Sequence, residues 1–281
     1  MASGGGPYIV AGLASATSFG VGDFSGGLAT RRSSGLAAAT LAQLTGCVLM
    51  VAILAIVRPE LPAPASLLYG LAAGVAGGTG IAALYRGLAT GAMGLVAAIS
   101  GAGSVVVPLL ASVYLLGAEV RPLQLAGVAC ALGAILAASG SAHSRASRRA
   151  LSLALLAALG FGLWAVLLDR AAGGGELWSL VSSRLAGTLL VAILAVRHGN
   201  LRSVRRVAAL AAGSGVFDVT GNALFVLARS GMTVGLAAAL SGIYPLVTML
   251  LARIVLRERL PRLGLLGVGL ALASIILISL G

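Results

Sequence analysis

Long apolar runs separated by short polar turns follow one another along the whole chain. Ten can be marked, at roughly 8–29, 35–57, 66–88, 94–116, 122–140, 150–171, 176–196, 206–228, 233–256 and 262–280. A helix needs about 20 apolar residues to cross a bilayer, so each run predicts one spanning helix. The turns between them are short and carry Gly, Pro or Arg, as at 58–64, 119–122 and 257–261. Connectors of this length make consecutive helices antiparallel. The predicted fold is an all-α integral membrane bundle of ten transmembrane helices.

The runs come in two sets. GLAAALSGIYPLVTMLLARIVLRERL at 235–260 has a near copy, GLVAAISGAGSVVVPLLASVYLLGAE, at 94–119. LVAAISG from Leu95 and LAAALSG from Leu236 stand 141 residues apart, and VAILA recurs from Val51 and from Val191, 140 apart. Phe19-Gly20 answers Phe161-Gly162, and Ala83-Leu84-Tyr85 answers Ala223-Leu224-Phe225. The repeats are placed at 1–140 and 150–281, joined by a basic connector at 141–149. Five helices per repeat is an odd number, so the second repeat enters the membrane from the opposite side and the two are inverted.

Composition agrees and removes other classes. Of 281 residues, 59% are hydrophobic and 9% charged, against about 25% charged in a soluble domain. The net charge of +12 is all arginine. The arginines lie singly or in short groups between apolar runs, where they act on topology and lipid headgroups rather than on a nucleic acid. Cys47 and Cys130 fall inside apolar runs, outside any disulfide or zinc spacing. His143 and His198 have no partner at metal-ligand spacing, so neither metal nor cofactor is expected. The start, MASGGGPYIV, lacks a signal-peptide pattern. Fourteen of the nineteen arginines lie in or beside the connectors after the first, third, fifth, seventh and ninth runs, and four beside the others. The positive-inside rule then places the richer set in the cytoplasm and both termini outside, in the plasma membrane.

The paired LVAAISG and LAAALSG helices, the acidic turns at Glu119 and Glu258, and the segments GVGDFSGGLATRR, ALYRGLATG and GFGLWAVLLDRA resemble the EamA-type family of the drug/metabolite transporter superfamily. The resemblance covers nearly the whole chain. It implies ten helices, an inverted repeat, and a central cavity lined by helices 3, 4, 8 and 9 with the inner ends of 1 and 6. It also implies transport of small molecules, often export of amino acids or other metabolites. The family is usually described with cytoplasmic termini, opposite to the arginine count.

Polar groups inside a bilayer are costly and mark function by default. Asp218, Asn222 and Phe225 are spaced four and three apart and share a helical face, a carboxylate, a carboxamide and an aromatic suited to a polar solute. Their alternative is structural, with Asp218 paired to Arg184. Asp23 is a second coupling candidate beside Asp218, unless it is a solvated end-charge or a partner of Arg31 or Arg32. Arg184 reads first as snorkelling to an interface; Gln43 is its repeat mate. Pro108 and Pro245 lack an N–H and free the carbonyls of Ser104 and Ser241, which makes them kink or gate positions. Ser100, Ser104, Ser241 and Tyr244 offer hydrogen bonds, Trp164 an aromatic wall, and Tyr85 a weaker contact. No catalytic set emerges, so the chain is not expected to be an enzyme. The expected function is secondary active transport, as an exporter, of a small polar or amphipathic metabolite such as an amino acid. Protons are the coupling candidate and a monomer is favoured. A passive channel or scaffold, or a membrane enzyme acting on lipid-linked substrates, are the alternatives.

Overall fold

A computed structural model describes residues 6–90, 92–116, 119–141, 145–172, 175–198, 205 and 207–281. All of its regular structure is helical. The first half contributes α1 (Gly6–Arg32), α2 (Gly35–Val57), α3 (Pro64–Leu88), α4 (Met93–Leu116) and α5 (Pro122–Ser141). The second contributes α6 (Arg145–Ala172), α7 (Glu176–Arg197), α8 (Ala208–Arg229), α9 (Val234–Gly242), α10 (Tyr244–Val255) and α11 (Arg262–Leu280). Among the described residues, eight helical stretches are long and apolar enough to cross a membrane, Leu236–Val255 across α9 and α10 among them. Pro122–Ala138 is a shorter apolar helix. α1 is long, at 27 residues, but carries Asp23 and several hydroxyls.

Local chemistry sets the ends. Ser34 caps α2 by accepting from the Ala37 N–H at 3.1 Å, and Thr233 caps α9 through the Leu236 N–H. Pro64 opens α3, where its missing N–H is harmless. The ninth run is divided because Pro245 lies in the first turn of α10 and cannot continue the ladder of α9. α4 runs unbroken through Pro108. α6 begins at Arg145, so Arg148 and Arg149 of the expected connector are helical. His143 and Arg206 lie outside the described residues.

The halves exchange partners. α3 packs on α6 and α7, and its repeat mate α8 packs on α1 and α2. α5 packs on its own mate α11, and α2 on α7. This is the arrangement of two halves related by a two-fold axis. Contacts between helix ends sort by connector parity. Arg31 after the first run bonds Glu258 after the ninth at 3.0 Å. Trp178 bonds the Pro59 carbonyl at 3.4 Å and Arg121 the Gly281 carbonyl at 2.6 Å, each pairing two even-numbered ends. Arg229 pairs with Glu176 likewise. Alternating passes require this sorting.

Glycine permits the tightest crossings. A Cβ on Gly160 of α6 would lie 2.8 Å from the backbone of Gly80 on α3, and one on Gly78 would lie 3.0 Å from Gly187 on α7. Lipid supplies no hydrophobic drive between helices, so close backbone approach is what holds such a bundle together. Outer faces expose Leu, Ile and Val, as at Val48, Ile56, Leu68, Leu136 and Ile254. That surface suits lipid and no other solvent.

Candidate functional site

One cavity of about 380 Å³ lies between the halves, within the range of small-molecule sites. α1, α2, α3, α4, α6, α7, α8, α9, α10 and α11 all contribute side chains to it. At the arginine-poor side the lining reaches Leu180, Phe225 and Ala238, each half-buried and four residues from the near end of its helix. At the arginine-rich side it stops at Leu84, beyond which Phe24, Leu36, Leu88 and Met93 are buried. The cavity therefore faces the arginine-poor side.

Its polar centre is a bridge across three helices. Arg184 on α7 donates one arm to Gln43 Oε1 on α2 at 2.7 Å and the other to Asp218 Oδ2 on α8. Asn222 Nδ2 donates to the Asp218 carbonyl at 2.8 Å and approaches Asp218 Oδ2 at 3.4 Å. The first reading of Arg184, snorkelling to an interface, is thus corrected. A guanidinium that can reach a carboxylate and a carboxamide inside the cavity gains more there than at a headgroup. Asp23 also lies in the cavity wall rather than at the helix end, while Arg31 bonds Glu258. The Asp23 Oδ2 is buried with no hydrogen-bond partner among the described residues.

The walls are aromatic. Phe19 and Tyr244 meet edge to face with centroids 6.2 Å apart, and Phe161, Trp164 and Phe225 continue the surface. The Trp164 indole N–H is satisfied by Ser183 Oγ at 2.9 Å, which leaves its ring as an apolar wall. Of the expected binding residues, Asp218, Asn222, Phe225, Ser241, Tyr244, Ser104 and Trp164 are brought together here. Ser100 is not. It is buried and donates to the Val96 carbonyl at 2.7 Å. Tyr85 is not in the lining either. Nor are the prolines, and the freed carbonyl expected at Ser241 accepts from the Ile243 N–H instead. It is the Ser241 hydroxyl that is buried with no hydrogen-bond partner among the described residues. Ser104 Oγ turns back to the Gly101 carbonyl at 2.7 Å.

Tyr85 belongs to the closed end. Ser214 Oγ on α8 gives its proton to the Gly22 carbonyl of α1 at 2.7 Å. The Tyr85 hydroxyl, 2.6 Å from Ser214 Oγ, is therefore the donor of that second bond. The chain of bonds ties α3, α8 and α1 together beneath the cavity. Tyr85→Phe removes one bond worth about 1 kcal/mol, roughly a fivefold shift in an opening equilibrium. A Leu88→Cys reporter, with Cys47 and Cys130 replaced by Ala, should then react with thiol reagents about fivefold faster. An unchanged rate would show that this bond does not hold the floor shut.

At the same end, burial raises the Glu258 carboxyl above its ordinary range, while Arg31 and the Met93 N–H, from which it accepts, pull the other way. A carboxylate at the first residue of α4 also opposes the positive end of that helix.

Gln43, Phe19 and Phe161 are lining residues that the sequence reading did not assign to the site. The signal existed in the repeat: Phe19 and Phe161 are mates, as are Gln43 and Arg184.

A family model for the EamA-like transporter family matches residues 6–140 and again 148–280. The chain belongs to the EamA-like transporter family. It is a multi-pass membrane protein carrying two EamA repeats, in a family of transporters within the drug/metabolite transporter superfamily. No curated relative matches it. Among solved structures, one titled as a crystal structure of a protein aligns over 96% of this chain and 97% of its own, at 16% identity and a TM-score of 0.58. At that identity the likeness speaks for the fold alone.

Proposed function

We propose that this EamA protein is a secondary active transporter, an exporter, of a small polar or amphipathic metabolite. It works by rocking one repeat against the other around the central cavity. The observation that carries the reading is the cavity itself: it lies between the repeats, reaches one face of the membrane and is shut at the other. A channel would need continuity to both faces. A membrane enzyme would need a nucleophile bonded to a base, whereas among the described residues Ser104 bonds a backbone carbonyl, Ser183 the Trp164 indole, and Ser241 no carboxylate. Asp218 and Asn222 provide polar recognition through the Arg184 bridge, Ser104, Ser241 and Tyr244 hydrogen bonds, and Trp164 with Phe225 the apolar surface. All ten runs cross the plasma membrane, with repeats at 1–140 and 150–281 and the arginine-rich ends in the cytoplasm. The cavity is then outward-facing, and the protein acts as a monomer in the bilayer with protons as coupling ion.

Thiol labelling in cells tests this arrangement. In the background lacking Cys47 and Cys130, Glu60→Cys and Phe225→Cys should react with an impermeant reagent from outside and Arg259→Cys only after permeabilisation. Labelling of Arg259→Cys alone from outside would reverse the orientation. Simultaneous free access to Phe225→Cys and Leu88→Cys from opposite faces would describe a pore.

A further inference from the structure

The charges in the cavity do not cancel. Arg184 and Asp218 neutralise each other, which leaves Asp23 as the one ionisable group among the charged residues of the described lining without a counter-charge, in a chain of net charge +12. Two side-chain atoms of this lining are buried with no hydrogen-bond partner among the described residues, Asp23 Oδ2 and Ser241 Oγ. Both accept hydrogen bonds. An unpaired carboxylate in such a place is costly, and it can be relieved by a proton or by a cation that enters the cavity. Five of the chain's twelve aromatic residues line the same space. Aromatic faces attract an organic cation through their quadrupole. A small inorganic cation would instead have to give up its water against walls that are mostly apolar.

We propose that the cavity takes an organic monocation with an apolar or aromatic body, its ammonium anchored by Asp23 and Ser241 in exchange for a proton. The inference rests on the transporter reading and narrows its substrate from amino acids to amines. The one cation among the described lining residues, Arg184, is already held by Asp218 and Gln43, so the carboxylate of a zwitterion would find hydroxyl donors but no free counter-charge. The exchange balances: the Asp23 carboxylic acid releases its proton to water, and the ammonium takes its place beside the carboxylate.

The groups facing Asp23 leave it as the exchanging site. Tyr85 on α3 and Tyr244 on α10 lie within electrostatic reach of it. α8 presents Asp218, already paired with Arg184 of α7, and α2 presents Cys47, which faces Arg184. α9 has no titratable side chain, and the one on α4, Tyr114, is exposed far from the cavity.

Four probes sharing a phenyl ring separate the charge requirement from the apolar one: phenethylamine, phenylalanine, 3-phenylpropionate and 2-phenylethanol. Binding is read on the purified full chain by Trp164 fluorescence, with Trp178→Phe to remove the second indole, and by proton release in weak buffer. Phenethylamine should bind at least tenfold tighter than the other three and release about one proton per site. Its affinity should fall about tenfold per pH unit once Asp23 is protonated. Asp23→Asn should weaken amine binding by about 10- to 100-fold and abolish proton release, while Asp23→Glu retains both in part. Melting midpoints of the ligand-free variants check that each is folded. Amine binding no tighter than that of the alcohol, or undiminished in folded Asp23→Asn and Asp23→Glu, overturns the inference. If phenethylamine binds as expected but shows no counterflow in vesicles, the transporter reading fails and the amine site stands.

Discussion

Arg184→Leu is expected to destabilise the protein by about 2 kcal/mol. Removing one partner of a fully buried ion pair costs about 3–5 kcal/mol, because the other charge is left unpaired. Here the side chains are 16% and 35% exposed for Arg184 and Asp218, and water in the cavity recovers part of the loss. The double variant Arg184→Leu/Asp218→Asn should recover most of the stability, since neither charge then remains. Arg184→Lys should not rescue. The guanidinium reaches Gln43 with one arm and Asp218 with the other, and an ammonium is a single point charge without that fork. Melting midpoints in one detergent compare the four proteins. A double variant no more stable than Arg184→Leu would mean that the loss comes from packing and not from the stranded carboxylate.

Gly160→Ala is the second large effect. The added methyl would stand 2.8 Å from Gly80 Cα and N and 2.9 Å from the Ala76 carbonyl oxygen. These are backbone atoms, so α3 and α6 must separate. Overpacking of this kind costs about 1–3 kcal/mol, and here it spreads along a crossing of the two repeats. Gly213→Ala is the matched control. It too lies inside a helix, but nothing stands within 4 Å of the new Cβ, and replacing a helical glycine gains up to about 1 kcal/mol. One alanine should therefore lower the melting midpoint and the other raise it. Equal shifts would show that backbone propensity rather than helix contact decides both.

The helices were legible because a bilayer demands long apolar runs, and the repeat showed that these runs come in two related sets. The site was legible where polarity itself was the signal. Asp218, Asn222 and Ser241 are rare polar groups in apolar helices, and all three line the cavity. Arg184 was harder. Its position in the run fits an interface as well as an interior, and only the three-dimensional approach of α2, α7 and α8 shows that Asp218 and Gln43 receive it. Tyr85 and Ser100 show the converse. Their repeat mates Phe225 and Ser241 line the cavity, yet they are buried in contacts at its closed end and behind its wall. A two-fold repeat has equivalent positions in sequence, but a cavity shut on one side makes them inequivalent in space. Pro108 and Pro245 differ for a related reason, since only the second divides its helix.

Counterflow in proteoliposomes tests the central claim most directly. Vesicles loaded with unlabelled phenethylamine and diluted into a trace of labelled phenethylamine should accumulate the label above its outside concentration, then lose it as the gradient runs down. That overshoot requires a site exposed to one face at a time. Tracer that only rises to the outside level would contradict alternating access at this cavity.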